Sequence, residues 1–149
     1  MRVCLTGGAG FIGSHILVEL LSTGHEVLVV DNFSTSSAES LNRVQQLTGC
    51  TFQTLDIDIC DGSMMATALS SFRPQCVIHC AGLKAVGESE EFSLRYYKNN
   101  VAGSISVLEA MDLADCRKII FSSSATVYGV PHYLPFDEVH PVAPVNDLS

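Results

Sequence analysis

Charged side chains are scarce in this chain, and positive ones are the scarcest. Asp, Glu, Lys and Arg make up 16% of the 149 residues, and the formal net charge at pH 7 is −8. No basic cluster offsets the acidic excess, so nucleic acid is not an expected partner. No apolar run approaches the ~20 residues of a membrane span, and the first apolar run, in "MRVCLTGG", is too short for a signal peptide.

Paired cysteines of the Cys-x-x-Cys type are also missing. The six cysteines stand at positions 4, 50, 60, 76, 80 and 116. Cys4, Cys76 and Cys80 fall inside apolar runs, where a free thiol behaves as a small hydrophobic side chain. We therefore expect no metal site and no disulfide, and a reducing, cytoplasmic location.

Apolar residues are plentiful at 47%, which indicates strands buried on both faces, as in a parallel sheet. Five short apolar runs predict strands at 2–6, 26–30, 51–55, 76–80 and 118–122. Helical spacing predicts four intervening helices with these inward residues: Phe11, Ile12, Ile16, Leu17, Leu20 and Leu21, with Gly24 closing the helix; Leu41, Val44 and Leu47; Met64, Met65, Ala68, Leu69 and Phe72; and Val101, Ile105, Leu108 and Met111 in a long helix over about 92–115. The alternation predicts one Rossmann-like α/β domain over residues 1–149, a doubly wound parallel sheet of strand order 3-2-1-4-5.

Four of the five prolines lie in 130–149, so that stretch is predicted to be a loop-like tail.

A glycine-rich turn joins the first predicted strand to the first helix. In "TGGAGFIGSH" (6–15), Gly7, Gly10 and Gly13 have the spacing of a turn that brings backbone and a helix N-terminus to a pyrophosphate. The second strand ends in Asp31, at the distance expected for an acid that binds the adenosine ribose. An acid there accepts from a 2′-hydroxyl and repels a 2′-phosphate, so NAD is favoured over NADP.

Two further loops follow strands at the same predicted edge. Asp58, after the third strand, is expected near the adenine, and Asp56 is an alternative for that contact. These acids could instead have the structural role of capping the next helix. Ala81 and Gly82, after the fourth strand, would let the backbone approach the cofactor. Lys84 is either a ligand or a solvated side chain.

These residues resemble the extended short-chain dehydrogenase/reductase superfamily, and within it the UDP-glucose 4-epimerase (UDP-galactose 4-epimerase) family. The motifs that carry the resemblance are "TGGAGFIGSH" at 6–15, "DN" at 31–32, "HCAGLKAVGES" at 79–89, "YYKNNVAG" at 96–103 and "FSSSATVYG" at 121–129. Related dehydratases carry an acid pair where this chain has Ala125 and Thr126, which favours an epimerase.

The resemblance implies NAD as cofactor and a role for each motif. The pyrophosphate would be lined by Gly7, Gly10, Phe11, Ile12 and Gly13. The adenosine ribose would be held by Asp31, Asn32, Ser34, Thr35 and Ser36, and the adenine would meet Asp58 and Ile59. Cys80, Ala81, Gly82, Leu83 and Lys84 would run beneath the cofactor, with Lys84 on the nicotinamide ribose, and Asn99 would also contact it. Ser122 and Ser124 would lie at the nicotinamide end, where Ser124 would bind the sugar hydroxyl that is oxidised.

The implied reaction interconverts UDP-glucose and UDP-galactose through a 4-keto sugar. In the family a tyrosine, its pKa lowered by a lysine four residues later, takes the hydroxyl proton. Here "PVNDLS" (144–149) has Leu148 at the tyrosine position, and Tyr128 is not a substitute because no lysine follows it by four. We therefore expect the NAD-binding part of such an enzyme, inactive alone. The family's homodimer uses the 92–115 helix and the tyrosine-bearing helix, so a dimer of this chain is doubtful.

Two alternatives remain open from the sequence. The chain could be a non-catalytic NAD- or nucleotide-binding module. It could also belong to another NAD-dependent sugar-nucleotide epimerase or dehydratase.

Overall fold

Five parallel strands form one sheet in the order β3-β2-β1-β4-β5, which confirms the predicted fold and strand order. The structure is a computed structural model that describes residues 1–144, apart from the side chain of Val86. The strands are β1 (Arg2–Thr6), β2 (Glu26–Asp31), β3 (Gln53–Asp56), β4 (Cys76–His79) and β5 (Ile119–Phe121). Thr6 at the end of β1 aligns with Val30 of β2 and with His79 of β4, so the three strands end within one residue of each other.

Helices cover both faces of the sheet. They are α1 (Phe11–Ser22), α2 (Ala38–Thr48), α3 (Gly62–Phe72), α4 (Val86–Glu91), α5 (Ser93–Tyr96) and α6 (Gly103–Leu113), with a π-helical turn over Tyr97–Ala102 and a 3₁₀ turn over Ala125–Tyr128. None of the helices within residues 1–144 is long and apolar enough to cross a membrane.

The two cores follow from the alternation of side chains along the central strands. Val3 and Leu5 of β1 pack with α1 and α2, whereas Cys4 packs on the opposite face with α3 and α6. Burial raises the pKa of the Cys4 thiol to about 12, so this cysteine stays protonated and acts as a core side chain. The edge strand β3 starts two residues later than predicted, and all four of its residues are exposed.

The prediction for the long helix was wrong in two respects. The stretch divides into α5, the π-helical turn and α6, and three of its four predicted inward residues are about half exposed: Val101 at 50%, Ile105 at 51% and Leu108 at 49%. Met111 is buried as predicted, but it packs beside Val107 and Ala110. The helix is apolar on two sides, so hydrophobicity alone did not distinguish the face that meets the sheet.

The exposed side of this helix is a continuous apolar stripe. With helical spacing, it consists of Leu94, Tyr97, Val101, Ile105 and Leu108. Four other predicted core residues also point outward: Phe11 at 83% exposed, Ile12 at 54%, Leu47 at 74% and Met64 at 47%. Each lies at the margin of its predicted stripe, where one residue of helical rotation moves a side chain into solvent.

The described part of the tail, residues 130–144, has no helix or strand. It packs around the buried His140, whose ring lies 4.7 Å from the ring of Tyr133 and 5.4 Å from that of Tyr128. The Ala143 amide donates to the Val127 carbonyl at 3.0 Å, which fastens the tail to the 3₁₀ turn.

Candidate functional site

The glycine turn between β1 and α1 leaves no room for side chains at two positions. Gly7 has φ +69°, and a Cβ there would lie 2.6 Å from the Ala81 nitrogen. A Cβ on Gly13 would lie 2.1 Å from the Gly7 carbonyl oxygen. The N-cap residue Gly10 has no side chain to cap α1, so the positive end of the helix stays open towards the turn. This is a cradle suited to a phosphate group.

Asp31 occupies the end of β2 and is buried, with a carboxylate that holds two loops together. Its Oδ2 accepts from the Ala9 amide of the glycine turn at 2.9 Å. Its Oδ1 accepts from the Phe33 amide and from the Ser36 hydroxyl, both at 2.9 Å. A carboxylate has about four acceptor positions, so these three bonds leave capacity for one ribose hydroxyl. The position of Asp31 after β2 indicated a ribose contact, but no sequence motif indicated these three bonds within the protein.

The residues predicted to meet the adenine lie beside Asp31. Asp58 accepts from the Cys60 amide at 2.8 Å and from the Asn32 side chain at 3.3 Å, and these bonds, chiefly that from Cys60, lower its pKa. Asp61, rather than Asp58, caps α3 by accepting from the Met64 amide at 3.0 Å. Asp56 is exposed on β3, opposite Asp31 in the strand register. Which acid meets an adenine stays a prediction.

One cleft brings most of the predicted cofactor residues together. Its lining includes the predicted residues Gly7, Gly10, Asp31, Asn32, Ser34, Thr35, Ser36, Ile59, Cys80, Ala81, Gly82, Leu83 and Asn99. Lys84 and Ser124 line an adjoining hollow that shares Ala81 and Gly82 with the cleft. Phe11 and Ile12 are exposed at the start of α1.

The loop after β4 is shaped by a residue that the sequence analysis did not single out. The Asn100 side chain binds both polar backbone groups of Leu83, donating to its carbonyl at 2.9 Å and accepting from its amide at 2.8 Å. Tyr96 donates to the Ala85 carbonyl at 2.9 Å. Tyr96, Asn100 and Ser104 recur every four residues, a polar helical spacing that could have flagged this face.

Ser124 and Ser122 have different surroundings. The Ser124 oxygen accepts from the Thr126 amide at 3.3 Å and from the Thr126 hydroxyl at 2.9 Å, which caps the 3₁₀ turn. The Ser122 amide donates to the His79 carbonyl at 2.9 Å. The side chain of Ser122 hydrogen-bonds to the Cys80 thiol, whose pKa is raised overall by burial. Ser124 therefore faces the hollow beside Lys84, and Ser122 supports the floor of the cleft.

Residues 3–149 match the model of the NAD dependent epimerase/dehydratase family. This chain belongs to that family.

Two curated relatives are named UDP-glucose 4-epimerase. The one from Bacillus subtilis (strain 168) is 48% identical over 146 residues, which make up 98% of this chain and 43% of the relative. The one from Yersinia enterocolitica is 51% identical over 138 residues, 93% of this chain and 41% of the relative. The chain thus spans less than half the length of these relatives.

A solved structure agrees with these relatives. The UDP-glucose 4-epimerase from Bifidobacterium longum, in complex with NAD+ and UDP, superposes with a TM-score of 0.93 at 45% identity. The match covers 96% of this chain and 43% of that one. The family assignment therefore rests on both sequence and fold.

Proposed function

We propose that this chain is the NAD-binding part of a UDP-glucose 4-epimerase. The observation that carries the proposal is that the glycine turn, Asp31 and the loop Cys80–Leu83 border a single cleft. The names of the relatives and the NAD+ in the Bifidobacterium longum complex support the choice of cofactor. In this proposal residues 1–149 are one NAD-binding domain with a loop-like tail from 130.

The donor set of the cleft fits a dinucleotide. Gly7, Gly10 and Gly13 leave backbone accessible to a pyrophosphate, and Phe11 and Ile12 flank it at the helix start. Asp31 has acceptor capacity for a ribose 2′-hydroxyl and its charge repels a 2′-phosphate, which favours NAD over NADP. Asp58 and Ile59 would meet the adenine, Lys84 would meet the nicotinamide ribose, and Asn99 would also contact the cofactor.

Ser124 would bind the sugar hydroxyl of UDP-glucose or UDP-galactose, while NAD would supply the hydride chemistry. Nothing among residues 1–144 supplies a lysine four residues after a tyrosine: Tyr128, for example, is followed at that spacing by His132. Leu148, at the family's tyrosine position, lies outside the described residues. We therefore propose that the chain alone does not interconvert the two sugars.

A non-catalytic NAD-binding module is the second candidate, and this lack of a tyrosine–lysine pair among residues 1–144 favours it. Both candidates place the chain in the cytoplasm. The family's homodimer belongs to the complete epimerase in this proposal, and no closed dimer is proposed for this chain.

Titration calorimetry with NAD and NADP tests the cofactor assignment. Asp31→Asn should weaken NAD binding about tenfold or more, because hydrogen bonds to a charged group are each worth about 1.5–3 kcal/mol. Asp115→Asn is the control, since Asp115 is an exposed acid outside the cleft, and it should change NAD affinity less than twofold.

Equal affinity of the unmodified chain for NAD and NADP would contradict the role of Asp31. No binding of NAD would contradict both candidates. Turnover of UDP-glucose by the purified chain, abolished by Gly7→Val, would contradict the proposal that the chain alone is inactive.

A further inference from the structure

His79 is a buried titratable residue to which the proposed function gives no role. It ends β4 beneath the cleft and is only 2% exposed. Its Nδ1 lies 2.5 Å from the Thr6 hydroxyl at the end of β1, and its Nε2 lies 2.9 Å from the Ser104 hydroxyl at the start of α6. The ring thus bridges two strands and the helix that support the cleft.

The neighbouring bonds determine which nitrogen of His79 carries the proton. The Ser104 hydroxyl donates to the Asn100 carbonyl at 2.6 Å, so towards His79 it can only accept, and Nε2–H must donate to it. A neutral imidazole has one N–H, which leaves Nδ1 as an acceptor for the Thr6 hydroxyl proton. The Thr6 oxygen in turn accepts from the Ala81 amide at 3.5 Å. Every donor therefore points the same way, from Ala81 through Thr6, His79 and Ser104 to Asn100.

The path closes on the loop where it began. Asn100, which receives the last bond on its carbonyl, holds both backbone groups of Leu83 with its side chain. The loop Ala81–Leu83 forms one wall of the cleft, and the glycine turn that follows Thr6 forms the other. These walls are in contact, since a Cβ on Gly7 would lie 2.6 Å from the Ala81 nitrogen. The hydrogen bonds from Thr6 through His79 to Asn100 thus connect the bases of both walls.

We propose that His79 is a positioning residue whose neutral Nε2–H form completes a hydrogen-bond ring that holds the loop Ala81–Leu83 against the glycine turn. The consequence for NAD affinity rests on the proposed function; the tautomer and the order of the loop do not. An imidazolium does not fit this hydrogen-bond ring, because a proton on Nδ1 would turn that nitrogen into a donor and remove the acceptor of the Thr6 hydroxyl proton.

Two matched pairs of variants of the full chain test the ring. Thr6→Val keeps the side-chain shape and removes the hydroxyl, whereas Thr6→Ser keeps the hydroxyl. Ser104→Ala removes a ring member, whereas Ser106→Ala removes the hydroxyl of a buried serine on the same helix whose Oγ has no hydrogen-bond partner among the described residues. The second pair keeps the comparison available if Thr6→Val does not fold.

Three measurements decide the outcome. Nitrogen-15 NMR of the ligand-free chain at pH 7 should find His79 neutral with its proton on Nε2. Amide hydrogen exchange at Ala81 and Leu83 should be about tenfold faster in Thr6→Val and Ser104→Ala, and unchanged in Thr6→Ser and Ser106→Ala. Affinity for NAD should fall about tenfold in the first two variants and less than twofold in the controls.

A proton on Nδ1, or equal amide exchange rates of the loop in Ser104→Ala and Ser106→Ala, would contradict the proposed hydrogen-bond ring. If the unmodified chain fails to bind NAD, the proposed function is wrong, and the tautomer and exchange data still decide whether the ring exists. If NAD binds and all variants bind it equally well, the ring has no positioning role.

Discussion

Replacing Gly13 by alanine tests the packing of the glycine turn against a competing expectation. Gly13 lies in the first turn of α1, and helix propensity alone predicts that Gly→Ala stabilises a helix by up to about 1 kcal/mol. The new Cβ, however, would lie 2.1 Å from the Gly7 oxygen and 2.7 Å from the Gly8 Cα, distances at which backbone atoms must move apart. Gly7 cannot move freely, because its amide donates to the Val30 carbonyl at 2.8 Å.

The expected cost of the substitution exceeds the gain in helix propensity. Overpacking typically destabilises by about 1–3 kcal/mol, and an overlap with two fixed backbone segments belongs at the upper end. A loss of about 3 kcal/mol corresponds to a fall in Tm of roughly 10 °C for a domain of this size. A thermal melt followed by circular dichroism measures it.

Gly87→Ala is the matched control. Gly87 also lies in a helix, α4, but a Cβ there meets nothing within 4 Å. Its Tm should stay constant or rise by up to about 3 °C, because only the propensity effect applies. A Gly13→Ala variant as stable as the unmodified chain, or one that responds like Gly87→Ala, would refute the argument that the turn excludes a side chain.

Two further predictions concern pH and association. Burial, and then the charge of Lys84, lower the pKa of His79 to about 4, so below about pH 6.5 the unfolded chain binds a proton that the folded chain does not bind. Urea midpoints should therefore show the stability falling between about pH 6.5 and pH 4, by up to about 3 kcal/mol in total. An equally steep fall in His79→Asn would contradict this cause. The apolar stripe should drive self-association, so Ile105→Glu should reduce the molecular mass measured by light scattering. Leu113 is exposed on another side of α6, and Leu113→Glu should leave that mass unchanged. Equal effects of the two substitutions would show that association uses a different surface.

Local patterns predicted the sheet and the glycine turn well. The strand residues Val3, Leu5, Val27 and Val29 are buried, as their apolar runs predicted. The glycine turn and Asp31 follow these strands directly, so each of these signals lies within a single β–α unit. The wrong face of α6 has a different origin. Ile105 and Leu108 are as apolar as the buried side, and Val101, within the preceding π-helical turn, continues the same exposed side. Which of two apolar sides meets the sheet depends on the neighbouring strands rather than on the helix sequence.

The contacts that complete the site could not be predicted because they join distant positions. Thr6 and His79 contact each other but are 73 residues apart in the chain. No motif considered in the sequence joins two positions so far apart. The bonds from Ala9 and Ser36 to Asp31 are likewise set by how the loops meet at the sheet edge. Sequence motifs identified which residues approach the cleft, whereas folding determined which of them hold each other.

The three bonds that Asp31 accepts also affect how readily cofactor preference can evolve. A change from NAD to NADP must remove the carboxylate, yet the same step releases the Ala9 amide, the Phe33 amide and the Ser36 hydroxyl at once. A single substitution would therefore yield an intermediate that is both poorly folded around the turn and poor at binding either nucleotide. Lineages with this arrangement are expected to change cofactor only after a second substitution has secured the glycine turn by other means, which makes the preference for NAD hard to reverse.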